Sequence, residues 1–328
     1  MTNLKLPRRR FLHLAAGAVA LPAVMRNARA QTYPTRPVRL IVTVAAGGSP
    51  DIIARLIGQW LTDRLGQPFI IENRAGASGN IGTEIVVRAS PDGYTLMLAI
   101  SANAINASLY DRLNFNFVRD IAPVASISTI PLVMEVNPSV PVHTVAEFIA
   151  YAKANPGKIN MASGGTGSPL HIAGELFKMM AGIDMFHVPY RSEALALPDL
   201  ISGQVQIMFG VMPASLGYIR AGKLRALAVA SAKRQDVLPE VPALSEFFPG
   251  YEANGWYGIG VPTATPTEII EALNKQINAA LADPTMKQRL ADLGCNVFAG
   301  SPADFGKFIA DETEKWAKVI KFAGIKAE

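Results

Sequence analysis

Two short stretches hold most of the chemistry this sequence could perform. Ala45-Ala46-Gly47-Gly48-Ser49-Pro50-Asp51 and Ser163-Gly164-Gly165-Thr166-Gly167-Ser168-Pro169 each set a glycine-rich turn ahead of a Ser-Pro pair and an apolar-periodic segment. Ser and Pro suit the first turn of a helix, and small residues let a ligand approach unpaired backbone N–H groups. Each stretch therefore reads as a helix N-terminus able to receive a small anion. Asp51 would repel an anion at contact distance, which predicts a water between the two. A helix residue that merely matches the dipole is the alternative for Asp51.

Other reactive groups are few. Beyond the leader the histidines are His143, His171 and His187, and Cys295 is the only cysteine in the chain. That set offers no paired-histidine helix motif and no zinc spacing. His171 reads either as a polar contact at the rim of a site or as a structural residue. His143, His187 and Cys295 read as structural. Neither glycine turn is followed by the Lys-Ser or Lys-Thr of a phosphate loop, and Gly76-Ala77-Ser78-Gly79 lacks the last glycine of a nucleophile elbow. No cofactor, no metal and no enzyme activity are expected.

These residues need rigid elements to hold them. Val38 to Val44 is, Arg39 apart, a run of apolar and β-branched residues, and Ile53, Leu56, Ile57, Trp60, Leu61 and Leu65 recur at helical spacing, so the first stretch lies between a strand and a helix. Pro68 to Asn73 and Tyr94 to Ile100 read as further strands, separated by a helix over Ile81 to Ala89. Alternation of this kind predicts a parallel α/β sheet whose loops gather at the strand ends, bringing Ser101 and Asn103 to the same mouth. The apolar run from Ala122 to Val136 reads as a crossing into a second lobe with the same rhythm, and Leu224 to Ala230 as the return. Helices at Pro266 to Ala282, Pro284 to Leu293 and Pro302 to Phe322 close the chain.

The net charge of +5 over 328 residues would suggest a polyanion partner, but Lys5, Arg8, Arg9, Arg10, Arg26 and Arg29 all precede residue 31. Without those six the balance is −1, so no nucleic-acid partner is expected. Residues 1–30 have the parts of an export signal: a basic start, an apolar middle and Ala28-Arg29-Ala30 before a cut near Gln31. Arg8-Arg9-Arg10-Phe11-Leu12 is similar to a twin-arginine motif, an ordinary Sec signal being the alternative.

Several dispersed motifs in one order carry a resemblance. Ala45 to Asp51, Glu72-Asn73-Arg74-Ala75-Gly76-Ala77-Ser78-Gly79-Asn80-Ile81-Gly82, Pro91-Asp92-Gly93-Tyr94-Thr95, His187-Val188-Pro189-Tyr190 and Gly203-Gln204-Val205 together resemble the Bug family of periplasmic solute receptors, which serve tripartite tricarboxylate transporters. The resemblance implies an α/β, two-lobe type II periplasmic-binding-protein fold with a ligand cleft between the lobes. Lobe 1 is expected at 31–126 and 230–328, and lobe 2 at 127–229. It further implies hinge closure on a small mono-, di- or aromatic carboxylate and delivery to membrane transporter subunits by a periplasmic monomer.

In relatives, the loops matching Ala45, Ala46, Gly47, Gly48 and Asp51, and matching Ser163, Gly164, Thr166, Gly167 and Ser168, hold a carboxylate partly through water. The loop after Tyr190 helps to choose the rest of the ligand. Here that loop is Arg191-Ser192-Glu193, where relatives carry a basic residue, a glycine and a small residue. Glu193 is accordingly expected to disfavour a second carboxylate, or else to face solvent or pair with Arg191. An exported enzyme on a carboxylated substrate, or a receptor that signals to a membrane sensor, are the rival functions.

Overall fold

The computed structural model describes residues 33–110 and 112–327. The expected export signal lies outside them. The chain builds two sheets of similar plan. The first lobe begins with β1 (Val38–Val42), α1 (Ser49–Leu65), β2 (Phe69–Asn73), α2 (Asn80–Val87), β3 (Thr95–Ile100) and α3 (Ser101–Leu109). β1 pairs in parallel with both β2 and β3. All six residues of β3 are buried, as a strand covered on both faces must be. A one-turn helix α4 (Phe117–Asp120) then leads into β4 (Ile121–Ile130).

The crossing is sharper than the apolar run from Ala122 to Val136 suggests. β4 stays in the first sheet as far as Ile130, paired with β10 (Gly255–Pro262). After Pro131, β5 (Leu132–Val136) belongs to the second sheet. The strand thus keeps to the first sheet four residues beyond the expected 126/127, because Ser128–Ile130 still have ladder partners. Pro131 cannot donate to a ladder, which suits it to the point where the chain changes sheets.

The second lobe continues with α5 (Val145–Ala154), β6 (Asn160–Ser163), α6 (Pro169–Ala181), β7 (Phe186–Pro189), α7 (Glu193–Ser202), β8 (Ile207–Val211), α8 (Met212–Arg220) and β9 (Arg225–Val229). Its sheet order is β7-β6-β8-β5-β9, with β6 parallel to its neighbours and β5 antiparallel to β8 and β9. β9 is thus an edge strand of this lobe and not the return crossing. The return runs through 231–254, tied at its end by Ala253 N–H to Ala230 O at 2.9 Å. β10 then enters the first sheet antiparallel between β3 and β4, giving β11-β4-β10-β3-β1-β2 with β11 (Asn296–Val297). β10 and β11 run against the other strands of the first sheet, and β5 alone runs against the others of the second.

α9 (Thr267–Ala282), α10 (Pro284–Asp292) and α11 (Pro302–Ala323) complete the chain. α11 packs on α3 and β4 of the first lobe and on α6 of the second, so it spans both. One apolar cluster accordingly joins Met97 and Ala104 to Phe177 and Phe209 through Trp256 and Trp316. No helix among the described residues is long and apolar enough to cross a membrane.

Candidate functional site

The strand ends of the two sheets enclose a cleft of about 780 Å³. Loops after β1, β2 and β3 line one side. The loops after β6 and β7 line the other, with Ile130, Leu132, Val211, Gly255 and Tyr257 along the crossings. Of the residues singled out in the sequence, Ala45, Ser101, Gly164, Thr166, Gly167, Ser168, Tyr190 and Arg191 line the cleft. Ala46, Gly47, Gly48, Asp51, Asn103, Ser163, His171, Ser192 and Glu193 do not.

On the first side Asp51 is buried and turned back on its own loop. Oδ2 accepts the Gly47 N–H at 3.0 Å, and Arg55, one turn on, forks both oxygens at 3.0 Å. That fork, with burial opposing it, holds the carboxyl below its ordinary range. Both oxygens are therefore engaged within the loop and helix, because an arginine at i+4 reaches the carboxylate from the same helix. Gly47, with φ of +89°, supplies the turn that brings its amide there. Ser49 is the first residue of α1 and not its cap. Its hydroxyl meets Tyr257, whose acidity burial suppresses. Asn103 is also structural: it accepts the Ile100 N–H at 2.8 Å and donates to Thr83 Oγ1 at 3.0 Å, fixing the turn from β3 into α3.

The loop over Ala75–Gly79 also lines the cleft, at the strand ends where the alternation of elements gathers the loops, and in it Ala77 and Ser78 take φ of +46° and +53° between two glycines of positive φ. A side chain in that region costs about 1–2 kcal/mol per residue. Here Asn106 Nδ2 to Ser78 O at 2.8 Å and Tyr110 OH to Ser78 Oγ at 3.1 Å hold the loop. Thr43 lines the cleft too, and its buried hydroxyl has no hydrogen-bond partner among the described residues. The glycines at 76 and 79 were the available signal for the loop. Tyr257 arrives from a strand over 200 residues downstream of β1, which periodicity does not reveal.

On the second side the Ser-Pro pair does cap its helix: Ser168 Oγ accepts the His171 N–H at 3.3 Å. Much of the glycine loop closes on itself. Gly165 N–H donates to Ser163 Oγ at 3.1 Å, Ser168 N–H to Gly165 O at 3.0 Å, and Gly167 N–H to His171 Nδ1 at 3.0 Å. His171 and Ser163 therefore stand behind the loop and shape it. His187 stacks on His171 with ring centroids 3.5 Å apart, and its Nε2 lies 2.7 Å from Ser163 Oγ. Burial, then the neighbouring His171, lowers the His187 pKa to about 4.

Tyr190 donates its hydroxyl to Asp199 at 2.7 Å, and burial followed by Asp199 raises its pKa to about 12. Glu193 corrects the expectation set for it. Half-buried and unpaired with Arg191, it turns to backbone: its Oε1 accepts the Val211 N–H at 2.5 Å, pinning α7 to the end of β8. Burial raises its pKa to about 7, against the lowering effect of that amide. Ser192 is the exposed N-cap of α7. Arg191 is left as the single charged side chain lining the cleft among the described residues.

Comparison with known proteins decides the relationship. Residues 53–325 match the family described as the tripartite tricarboxylate transporter family receptor, TctC. This chain belongs to that family. The receptor is 36% identical over 320 residues to Protein BugT of Bordetella pertussis, covering 97% of this chain and 98% of BugT. Among solved structures, Rhodopseudomonas palustris Rpa4515 with adipate shares 38% identity at a TM-score of 0.80, over 90% of this chain and 99% of that one. MatC (Rpa3494) from the same organism, with bound malate, shares 30% at 0.77, over 88% of this chain and all (100%) of that one. The periplasmic binding protein BugD shares 32% at 0.77 and covers 90% of this chain. The receptor has the two-lobe fold of these proteins, and its family is one of transporter receptors and not of enzymes.

Proposed function

We propose that this receptor captures a small dicarboxylate between its lobes in the periplasm and presents it to the membrane subunits of a tripartite transporter. The observation that carries the reading is the charge pattern of the cleft. Its first side offers backbone, small residues and hydroxyls, its second side offers Arg191, and among the described residues no carboxylate lines it. One end of a ligand meets the strand ends near Thr43, Ala45 and Ser101, while the other meets the guanidinium. The adipate and malate of the two solved relatives have the same two-ended charge. Closure about Pro131 and 231–254 brings both sides onto one molecule, so ligand favours the closed form by population shift. Residues 1–30 direct export, and the mature chain acts as a monomer.

Calorimetry against adipate, malate and benzoate tests this, with the bound compound recovered and identified afterwards. Binding of a diacid returned intact is the expected result, with Arg191→Ala losing about tenfold for diacids and little for benzoate. Turnover of the compound, or an unchanged diacid affinity in the variant, would sink the reading.

A further inference from the structure

The second-side loop is shaped by an imidazole that accepts a backbone hydrogen bond from it. Gly167 N–H points at His171 Nδ1 from 3.0 Å, so that nitrogen must accept and the ring proton must sit on Nε2. Nε2 faces Glu175 Oε1 at 3.5 Å, and Lys178 Nζ shares that oxygen at 3.0 Å. On the opposite face the His187 ring lies nearly parallel, at 6°. His171 is 4% exposed, so solvent cannot replace a lost partner.

We propose that His171 is a positioning residue for the cleft: as a neutral acceptor it fixes residues 164–168 in their receiving shape, and its protonation frees that loop and weakens binding on acidification. A proton at Nδ1 would confront the Gly167 N–H with a second donor. It would also place a cation against His187, which through Ser163 Oγ holds Gly165. Glu175 favours the charged ring, but Lys178 already neutralises it, and Asp184 lies 3.5 Å beyond Lys178. Strands β6 and β8 and helix α3, packed nearby, carry no ionisable side chain. From α11, Glu312 is engaged with Lys315, Trp256 and Trp316, and Tyr251 OH donates to Ala173 O at 2.9 Å. Across the loop stand Tyr190, bonded to Asp199, and Arg191.

The effect on affinity rests on the carboxylate reading of the cleft, while the effect on the loop does not, so the test has two arms. In the first, nitrogen NMR of the whole mature chain reads the His171 tautomer, and hydrogen exchange reads Gly167 amide protection between about pH 7.5 and pH 5. Expected are an unprotonated Nδ1 at the upper pH and about a tenfold loss of protection on descending. His171→Asn keeps an acceptor near the Nδ1 position without titrating, so its protection should stay flat. His171→Phe should lack protection throughout. In the second arm, adipate affinity falls with pH in the natural chain relative to His171→Asn, a ratio that removes adipate's own titration.

A proton on Nδ1 near neutral pH, or an equal pH dependence in His171→Asn, would overturn the proposal. If the variants do not fold, the nitrogen shifts and exchange profile of the natural chain still decide it. Failure of adipate to bind at any pH counts against the carboxylate reading alone.

Discussion

Glu193 sits in the first turn of α7 with its carboxylate on the Val211 amide, and burial keeps its proton on to about pH 7 against an ordinary value of 4.5. A carboxyl that holds its proton more tightly in the folded chain contributes stability that is complete below about pH 4.5 and lost as pH rises through about 7. Glu135 adds to the effect. It is fully buried on β5, bonded to Ser215 Oγ at 2.8 Å, and it feels the Glu193 charge. Glu193→Gln keeps an oxygen for Val211 and removes that charge. The melting temperature of the variant relative to the natural chain should therefore rise between pH 5 and pH 8, on the order of a few °C. A difference that does not change with pH would mean that Glu193 ionises freely. The sequence marked position 193 as unusual, yet whether its carboxylate faced ligand, solvent or backbone depended on where β8 ends.

At the scale of elements, the two Ser-Pro helix starts look alike in sequence and differ in structure. α6 is capped by Ser168, whereas α1 begins at Ser49 after Gly48, with its loop closed by Asp51. The physical reason is local: Arg55 one turn on draws Asp51 inward, and His171 does the equivalent work for the second loop from behind. Gly167 shows how closely that loop meets the other lobe. Its φ is +73°, and a Cβ there would lie 2.1 Å from Leu109 Cδ2 of α3. Gly167→Ala should cost about 1–3 kcal/mol of stability in denaturant unfolding and weaken diacid binding as well. An alanine variant equal to the natural chain in both would show that the loop is free to move away from Leu109.

For the whole molecule, the shared core and α11 predict that the lobes unfold together. Trp316 is 2% exposed, donates to Glu312 Oε2 at 2.9 Å and belongs to the cluster common to both lobes. Trp316→Ala should cost about 3–5 kcal/mol while circular dichroism and the remaining tryptophan fluorescence still report one transition. Two separated transitions would mean that the lobes are thermodynamically independent. By itself the sequence determined the α/β alternation, the passage between two lobes and the glycine loops at the strand ends, because buried parallel strands and helix starts write their requirements into neighbouring residues. Only the tertiary structure decided that the crossing turns at Pro131, that β10 returns to the middle of the first sheet, and that Thr43, Tyr110 and Tyr257 share one cleft. It also decided that Asp51, His171 and Glu193 shape that cleft from outside it, since the direction of a polar side chain follows from the nearest partner in space, and those partners lie on other turns, strands and helices.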